Sequence, residues 1–381
     1  MGGYNQESSH TESQYSYRTD VVVGSLPSLS LSTGTPITND AFEEFAIRGL
    51  FYRVNYSYAG KYLLEANGRY DGTSRFPKNS RFGFFPSFSA GWRISEENFM
   101  KTTNEWLSNL KLRASWGSIG NQVILKSDNT PDNYPYIPDM NVYLSNWLVD
   151  GQKVTTLGAP AMVSSSFGWE KVYTLDFGFD LDLFNNKLNT TFDWYRRDTK
   201  GMLAPGMELP GVVGASAAKQ NAADLKTYGW ELKINWHDRI GDVGYRGGFN
   251  LYDSQSEITK YDNEAGLFGK DLYRKGMKLG EIWGYVTDRF YTTDDFNADG
   301  TLKPGIPMFK GAGTVYPGDI LYKNFDDDTE FIFEGDNTIH NPGDQRIIGN
   351  NTPRYQYGIT AGVSYKGFDL SIFLRGVGKR D

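Results

Sequence analysis

Three observations predict the fold class: an all-β chain forming an antiparallel transmembrane β-barrel. Apolar and polar residues alternate with a period of two, in segments mostly near the roughly 9 to 11 residues that a tilted strand needs to cross a bilayer. Turns of a few residues alternate along the chain with long connections. The 381 residues include 25 Tyr, 24 Phe and 9 Trp, yet only 39% are hydrophobic. No run of about 18 apolar residues offers a transmembrane helix, whereas barrel strands alternate and never produce such a run.

The elements follow in order. In 50–70, Leu50, Tyr52, Val54, Tyr56 and Tyr58, then Tyr62, Leu64, Ala66 and Tyr70, share one face. Arg53, Asn55, Ser57, Glu65, Asn67 and Arg69 share the other, with Phe51 and Leu63 as exceptions, and Ala59–Lys61 reverses the chain. Residues 82–93 set Phe82, Phe84, Phe88, Ala90 and Trp92 against Ser87, Ser89 and Arg93, with Phe85 as the exception. Pro86 removes a ladder donor and weakens that strand. Residues 94–109 read as a small helix. Leu110, Leu112, Ala114 and Trp116 then oppose Lys111, Arg113 and Ser115.

The cleanest strand sets Tyr173, Leu175, Phe177, Phe179, Leu181 and Leu183 against Thr174, Asp176, Asp180 and Asp182. Asn185–Asn186 turns it, because Asn tolerates the positive φ of a tight hairpin. Leu188, Thr190, Phe192 and Trp194 return. Tyr228, Trp230, Leu232, Ile234 and Trp236 oppose Glu231, Lys233, Asn235 and His237, and a turn over 238–242 leads to Val243, Tyr245, Phe249 and Leu251. Tyr355 to Tyr365 turn at Lys366–Gly367 into Phe368, Leu370, Ile372 and Leu374. That makes about ten strands.

The greasy face has two readings. In a soluble β-sandwich it is core, covered by a partner sheet. In a membrane barrel it meets lipid, and the polar face lines a wet lumen. Strand length favours lipid. So do the aromatics toward strand ends (Tyr58, Tyr62, Trp92, Trp194, Trp236) and the charges deep in the strands (Asp176, Asp180, Arg53). The long connections, 118–170, 198–227 and 253–350, are sorted to one end, as in barrels with brief periplasmic turns and extended outer loops.

A net charge of −7 without a basic stripe argues against nucleic acid. Cysteine is absent, which suits an oxidising compartment. The start "MGGYNQESSH" lacks the basic and apolar regions of a signal peptide. The chain therefore either stays inside the cell or belongs to something longer.

The run "RYDGTSRFPKNSRFGFFPSFSAGWRISEENFM" (69–100) resembles the SusC/RagA family of TonB-dependent outer-membrane transporters. Further similar segments follow in order: "WLSNLKLRASWGSIGNQ" (106–122), "FGWEKVYTLDFGFDLDLFNNKLNTTFDWYRRDT" (167–199), "YGWELKINW" (228–236), "YPGDILYKN" (316–324) and "RIIGNNTPRYQYGITAGVSYKGFDLSIFLRGVG" (346–378). The likeness spans residues 45–381. It implies that 1–381 is a partial barrel domain, truncated at both ends, of a wall with about 22 strands. It implies uptake of oligosaccharides or peptides across the cell outer membrane, with a SusD-like surface lipoprotein as lid. TonB–ExbB–ExbD would act through an N-terminal plug part outside this chain. The rival readings are a soluble all-β glycan-binding module and a passive porin-like channel.

Site chemistry is sparse. Asp295, Asn297, Asp299 and Gly300 match the first half of a calcium loop, but Ile306 stands where a bidentate Glu belongs. A surface turn is the expectation there. The acidic run 325–344 is irregular, and a metal role for it is not assigned. His10, His237 and His340 are the only histidines; His237 is expected as a solvated turn residue. With no nucleophile motif or phosphate loop, no enzyme activity, cofactor or metal is expected. Tyr134, Tyr136, Trp147 and Trp283 could stack on sugar rings, but loop packing is the preferred reading for each of them. None is assigned to substrate.

Overall fold

The computed structural model describes all residues except 127–128, 141, 165–166, 206–211, 213–217, 270–271, 312, 326–330 and 334. The first strands are β1 (Gly2–Tyr17), β2 (Ile37–Tyr58), β3 (Tyr62–Thr73), β4 (Phe82–Arg93) and β5 (Leu107–Asn121). A short hairpin, β6 (Val142–Val149) and β7 (Gln152–Leu157), stands in the next connection. The wall resumes with β8 (Glu170–Leu183), β9 (Leu188–Pro205), β10 (Lys219–Ile240) and β11 (Val243–Lys260). Six small strands follow: β12 (Glu281–Tyr285), β13 (Thr287–Phe290), β14 (Met308–Phe309), β15 (Ile320–Tyr322), β16 (Phe331–Ile332) and β17 (Gln345–Asn350). The last two are β18 (Arg354–Tyr365) and β19 (Phe368–Lys379).

Eleven of these make one sheet in the order β1-β2-β3-β4-β5-β8-β9-β10-β11-β18-β19, with each neighbour antiparallel. This is an up-and-down meander. The other sheets among the described residues are pairs of strands. None is large enough to cover the wall as the second layer of a sandwich would.

The expected alternation holds, and its apolar side is bare. Leu50, Val54, Leu64, Phe84, Phe88, Leu112, Phe177, Ile359 and Leu370 are exposed. Burial is worth roughly 1.5–3 kcal/mol for each such side chain. In water, a whole face forgoing that gain would not hold one flat arrangement. The bare side therefore needs an apolar surrounding. Aromatic rings stack across strands on it, as in Phe88–Trp116–Tyr173, with centroids 6.2 and 6.3 Å apart.

Tight turns behave as their residues dictate. Phe184, Asn185 and Asn186 all have positive φ, as do Lys366 and Gly367. Such φ values match the right-handed twist of the flanking strands.

Several expectations need correction. The wall has eleven strands, because β1 is almost wholly polar and shows no alternation. Its register comes from backbone pairing with β2, from Gly2↔Tyr52 to Tyr17↔Ile37. Wall strands run 12 to 22 residues, longer than a bilayer crossing needs. The excess prolongs them at the loop end. The strands on either side therefore narrow the long connections to 122–169, 206–218 and 261–353.

Residues 94–109 form no α-helix. Two 3-10 segments, Ile94–Glu96 and Asn98–Thr103, precede β5. The 238–242 turn shrinks to Gly241–Asp242. Gly241 takes φ 58°, so the ladder continues to Ile240↔Val243. His237 is thus an exposed strand residue, and Trp194 stands well inside β9, opposite Phe177 and Trp230. Pro86 does not end β4, but the β4–β5 ladder begins only at Ser87↔Gly117, just past the residue that lacks an N–H.

Candidate functional site

The polar face of the wall carries a lattice of cross-strand charge pairs. Arg53 Nε donates to Glu65 at 3.1 Å, and Asn67 Nδ2 donates to the same carboxylate at 2.6 Å. Within β3 itself, Arg69 pairs with Asp71 two residues on, at 2.9 Å. Arg113 bridges Asp180, 3.1 Å away, and Asp193, 3.0 Å away. Asp182 accepts from Asn109 at 3.1 Å and from Asn189 at 2.7 Å. The register creates these meetings: β5 brings Lys111 opposite Asp180, and β8 brings Gly178 opposite Asp193. Asp180 and Arg53 thus lie where the alternation placed them, each with an opposite charge.

Two shallow grooves run along this face. One of about 470 Å³ holds Asn55, Glu65, Lys111, Arg113, Ser115 and Asp176. The other, about 560 Å³, holds Asp193, Glu231, Lys233, Asn235, Asn250 and Tyr252. Both present mixed charge and hydroxyl or amide groups. Such surfaces hydrogen-bond polar solutes without selecting one sign of charge.

At the loop end, the polar face is capped by a small core. Phe85, the exception to its strand's alternation, meets the Trp169 ring edge-on at 5.1 Å, and Phe76 meets it at 5.3 Å. Phe76 also packs with Ile124 and Phe167, with Leu203 alongside. The exception is thus a loop-packing residue. Arg75 is only 6% exposed. Its Nε donates to Asn133 Oδ1 at 2.9 Å, and its guanidinium lies 4.1 Å from the Phe45 ring centroid. No ion pair joins it to a carboxylate among the described residues. Burial holds Arg75 below the ordinary arginine range, and the Glu7 carboxylate offsets this only in part. Buried Arg274, by contrast, pairs with Glu281 at 2.7 Å. Asp253 closes the base of the last long connection, accepting Nε and Nη2 of Arg354.

That connection, 261–353, folds around its own core of Tyr291, Leu321 and Ile332. Asp344 is fully buried and accepts the backbone N–H groups of Phe325 at 2.6 Å and Phe333 at 3.0 Å.

The calcium-like turn is engaged internally. Asp295 accepts both terminal nitrogens of Arg289, one at 2.7 Å, and the Thr292 N–H at 2.7 Å. The Arg289 guanidinium, then the Thr292 N–H, hold its carboxyl far below the usual range. Asn297 donates to Thr301 Oγ1 at 3.0 Å, and Asp299 accepts the Thr301 N–H at 3.0 Å. Among the described residues no three His, Cys, Asp or Glu side chains gather as a metal site. Residues 326–330 and 334 of the acidic run lie outside the described residues.

The remaining candidates are scattered. Tyr134 Oη accepts the Glu44 N–H at 2.9 Å, and Tyr136 is half-buried. Trp147 is exposed at the β6–β7 hairpin. Trp283 stacks on Phe268, centroids 3.9 Å apart, under Arg274. His10 packs edge-on against Phe42, and His340 is exposed in the last connection. No two of these four loop aromatics stack on one another as a platform. Sequence reasoning missed Arg75–Asn133 and Asp253–Arg354, whose partners stand 58 and 101 residues apart. Nothing local announces either pairing.

Comparison with known proteins places this geometry. The family model described as "TonB dependent receptor-like, beta-barrel" matches residues 2–378. TonB-dependent receptor P3 of Formosa agariphila is 28% identical over 98% of this chain and 36% of its own length. The TonB-dependent receptor SusC of Bacteroides thetaiotaomicron is 30% identical over 85% of this chain and 30% of its own length. The chain thus spans about a third of the curated relatives it matches. Among solved structures, the RagAB peptide importer in its closed-closed state superposes with a TM-score of 0.71 at 21% identity, covering 98% of this chain and 38% of that one. The Escherichia coli outer-membrane transporter YddB superposes at 0.52 with 9% identity, covering 100% of this chain and 39% of that one. These structural likenesses speak to the fold.

Proposed function

Since this chain belongs to the TonB-dependent receptor β-barrel family, we propose that it supplies wall strands and outer loops to an outer-membrane active transporter. Its cargo would be oligosaccharides or peptides, captured together with a SusD-like surface lipoprotein. The observation that carries this reading is the single meander with one bare apolar face and one charge-paired polar face. The apolar side turns to hydrocarbon, and the polar side lines the passage.

The lattice around Arg113 suits a passage wall. Paired charges hydrate the surface without trapping a passing solute by its charge. The loop end would dock the lipoprotein lid. Closure of the lid on cargo would precede a pull by TonB–ExbB–ExbD on a plug, and cargo would then cross the lumen. No bond chemistry is proposed for the wall residues, and the family is one of transporters and receptors.

Uptake by cells that carry the protein tests this reading. Import of defined oligosaccharide and peptide mixtures is expected to need both the protein and TonB, and to stop when the proton gradient is dissipated. Uptake that persists without TonB would identify a passive channel. A native protein that stays in aqueous solution without detergent would identify a soluble module.

A further inference from the structure

Four of the five connections at the short-turn end are tight hairpins: 59–61, 184–187, 241–242 and 366–367. The fifth, 94–106, is longer, and its hydrogen bonds show which way it folds. Tyr62 and Trp92 belong to the apolar face of the wall. Yet Tyr62 Oη donates to Glu97 Oε1 at 2.6 Å, and Trp92 Nε1 donates to the same oxygen at 3.1 Å. Lys61 Nζ donates to Glu97 Oε2 at 3.0 Å. A carboxylate can meet both rings only if its backbone curls around the outside of the rim, away from the polar face.

Three donors on one carboxylate are what a charge requires where water thins. They keep Glu97 ionised, with its pKa lowered to about 2, chiefly by Tyr62, then Lys61 and Trp92.

Beyond this lock the segment presents apolar rings to its surroundings. Phe99 is 66% exposed and Trp106 is 48% exposed. The Phe184 N–H donates to the Trp106 carbonyl at 2.7 Å, and exposed Phe184 meets Trp236 edge-on at 6.3 Å. The belt that begins at Tyr58, Tyr62 and Trp92 is therefore continued past the gap between two hairpins by this segment. Lys101 is exposed next to Met100. Aromatic rings beside a cationic head are the composition that settles at the headgroup level.

We propose that residues 94–106 form an interfacial anchor outside the wall, with Phe99 and Trp106 immersed among phospholipid headgroups of the leaflet on the short-turn side. This rests on the outer-membrane reading above. It goes further in assigning a lipid contact to a connection rather than to a strand.

The chain has no cysteine, so each introduced thiol is unique within it. Nitroxide labels at Phe99→Cys, Leu64→Cys and Asp299→Cys would be compared in the native protein, in vesicles of phosphatidylethanolamine and phosphatidylglycerol. Saturation recovery in oxygen and in a water-soluble nickel chelate reads their depth. The Leu64 label is expected in hydrocarbon, just inside the level of the aromatic belt, and the Asp299 label in water. The Phe99 label is expected between them, at least several-fold less accessible to nickel than the Asp299 label. A Phe99 label as open to nickel as the Asp299 label, with the Leu64 label in hydrocarbon, overturns the anchor and leaves the barrel reading intact. A Leu64 label in water overturns both. Adding Glu97→Ala should move the Phe99 label toward water; an unchanged depth would show that Glu97 does not hold the segment.

Discussion

The wall and the 261–353 connection solve the burial problem in opposite ways. The wall leaves Leu64, Phe88 and Phe177 bare and is held by its backbone ladder. The connection closes Tyr291, Leu321 and Ile332 into a small core and ties its backbone to Asp344. Position in the same chain does not decide between these solutions; the surrounding medium does. Where hydrocarbon can cover apolar side chains, a single layer suffices. Where water surrounds the chain, a layer must find its own second side.

The largest effect should come from the connection's core. Ile332→Ala removes a side chain that is almost wholly enclosed and should cost about 2–5 kcal/mol of local stability. Hydrogen exchange across 287–322 would then accelerate strongly, with the β3 and β4 amides unchanged. If the wall amides accelerated equally, the two regions would not be separate units. The converse change is Ala66→Arg, on the apolar face between Val54 and Phe88. It should destabilise the bilayer-inserted protein by about 2–4 kcal/mol, as read by denaturant unfolding in lipid. A neutral result would mean that this position does not meet hydrocarbon.

Much of the wall was legible because its pattern is local. Alternation from Tyr173 to Leu183 fixes a strand and its faces without knowledge of any neighbour, and Asn185–Asn186 fixes the turn. β1 was illegible for the same reason. Its polar run carries no alternation, and only the facing β2 backbone makes it a strand. The loop end was illegible because its contacts are distant. Arg75 finds Asn133, and Phe85 finds Trp169, through folding of the connections between them. The calcium-like spacing of Asp295, Asn297 and Asp299 was legible as a turn, but the arginine that occupies Asp295 lies upstream of the pattern.

Two smaller effects sharpen the contrast. Arg289→Met removes the partner of Asp295 in the water-facing region. Arg289 is substantially exposed, so screening keeps the loss small, seen as faster exchange at the Thr292 amide only. At the wall's rim, the folded pKa of Glu97, about 2, lies below the ordinary 4.5. Its stabilising contribution is therefore complete above that ordinary value and fades as pH falls through the folded one. The Trp92 indole N–H resonance should titrate with a midpoint near 2; a midpoint at the ordinary carboxylate value would mean that the three donors do not engage Glu97.

Hydroxyl-radical footprinting of the native protein in bilayers tests the central claim most directly, because it compares like side chains in the two regions. Trp147 and Phe290 in the connections, and Phe88, Trp116 and Phe177 on the wall, are all exposed in the fold. The account predicts rapid oxidation of the first two and protection of the other three by surrounding hydrocarbon. Oxidation of Phe88, Trp116 and Phe177 at rates matching Trp147 would contradict it.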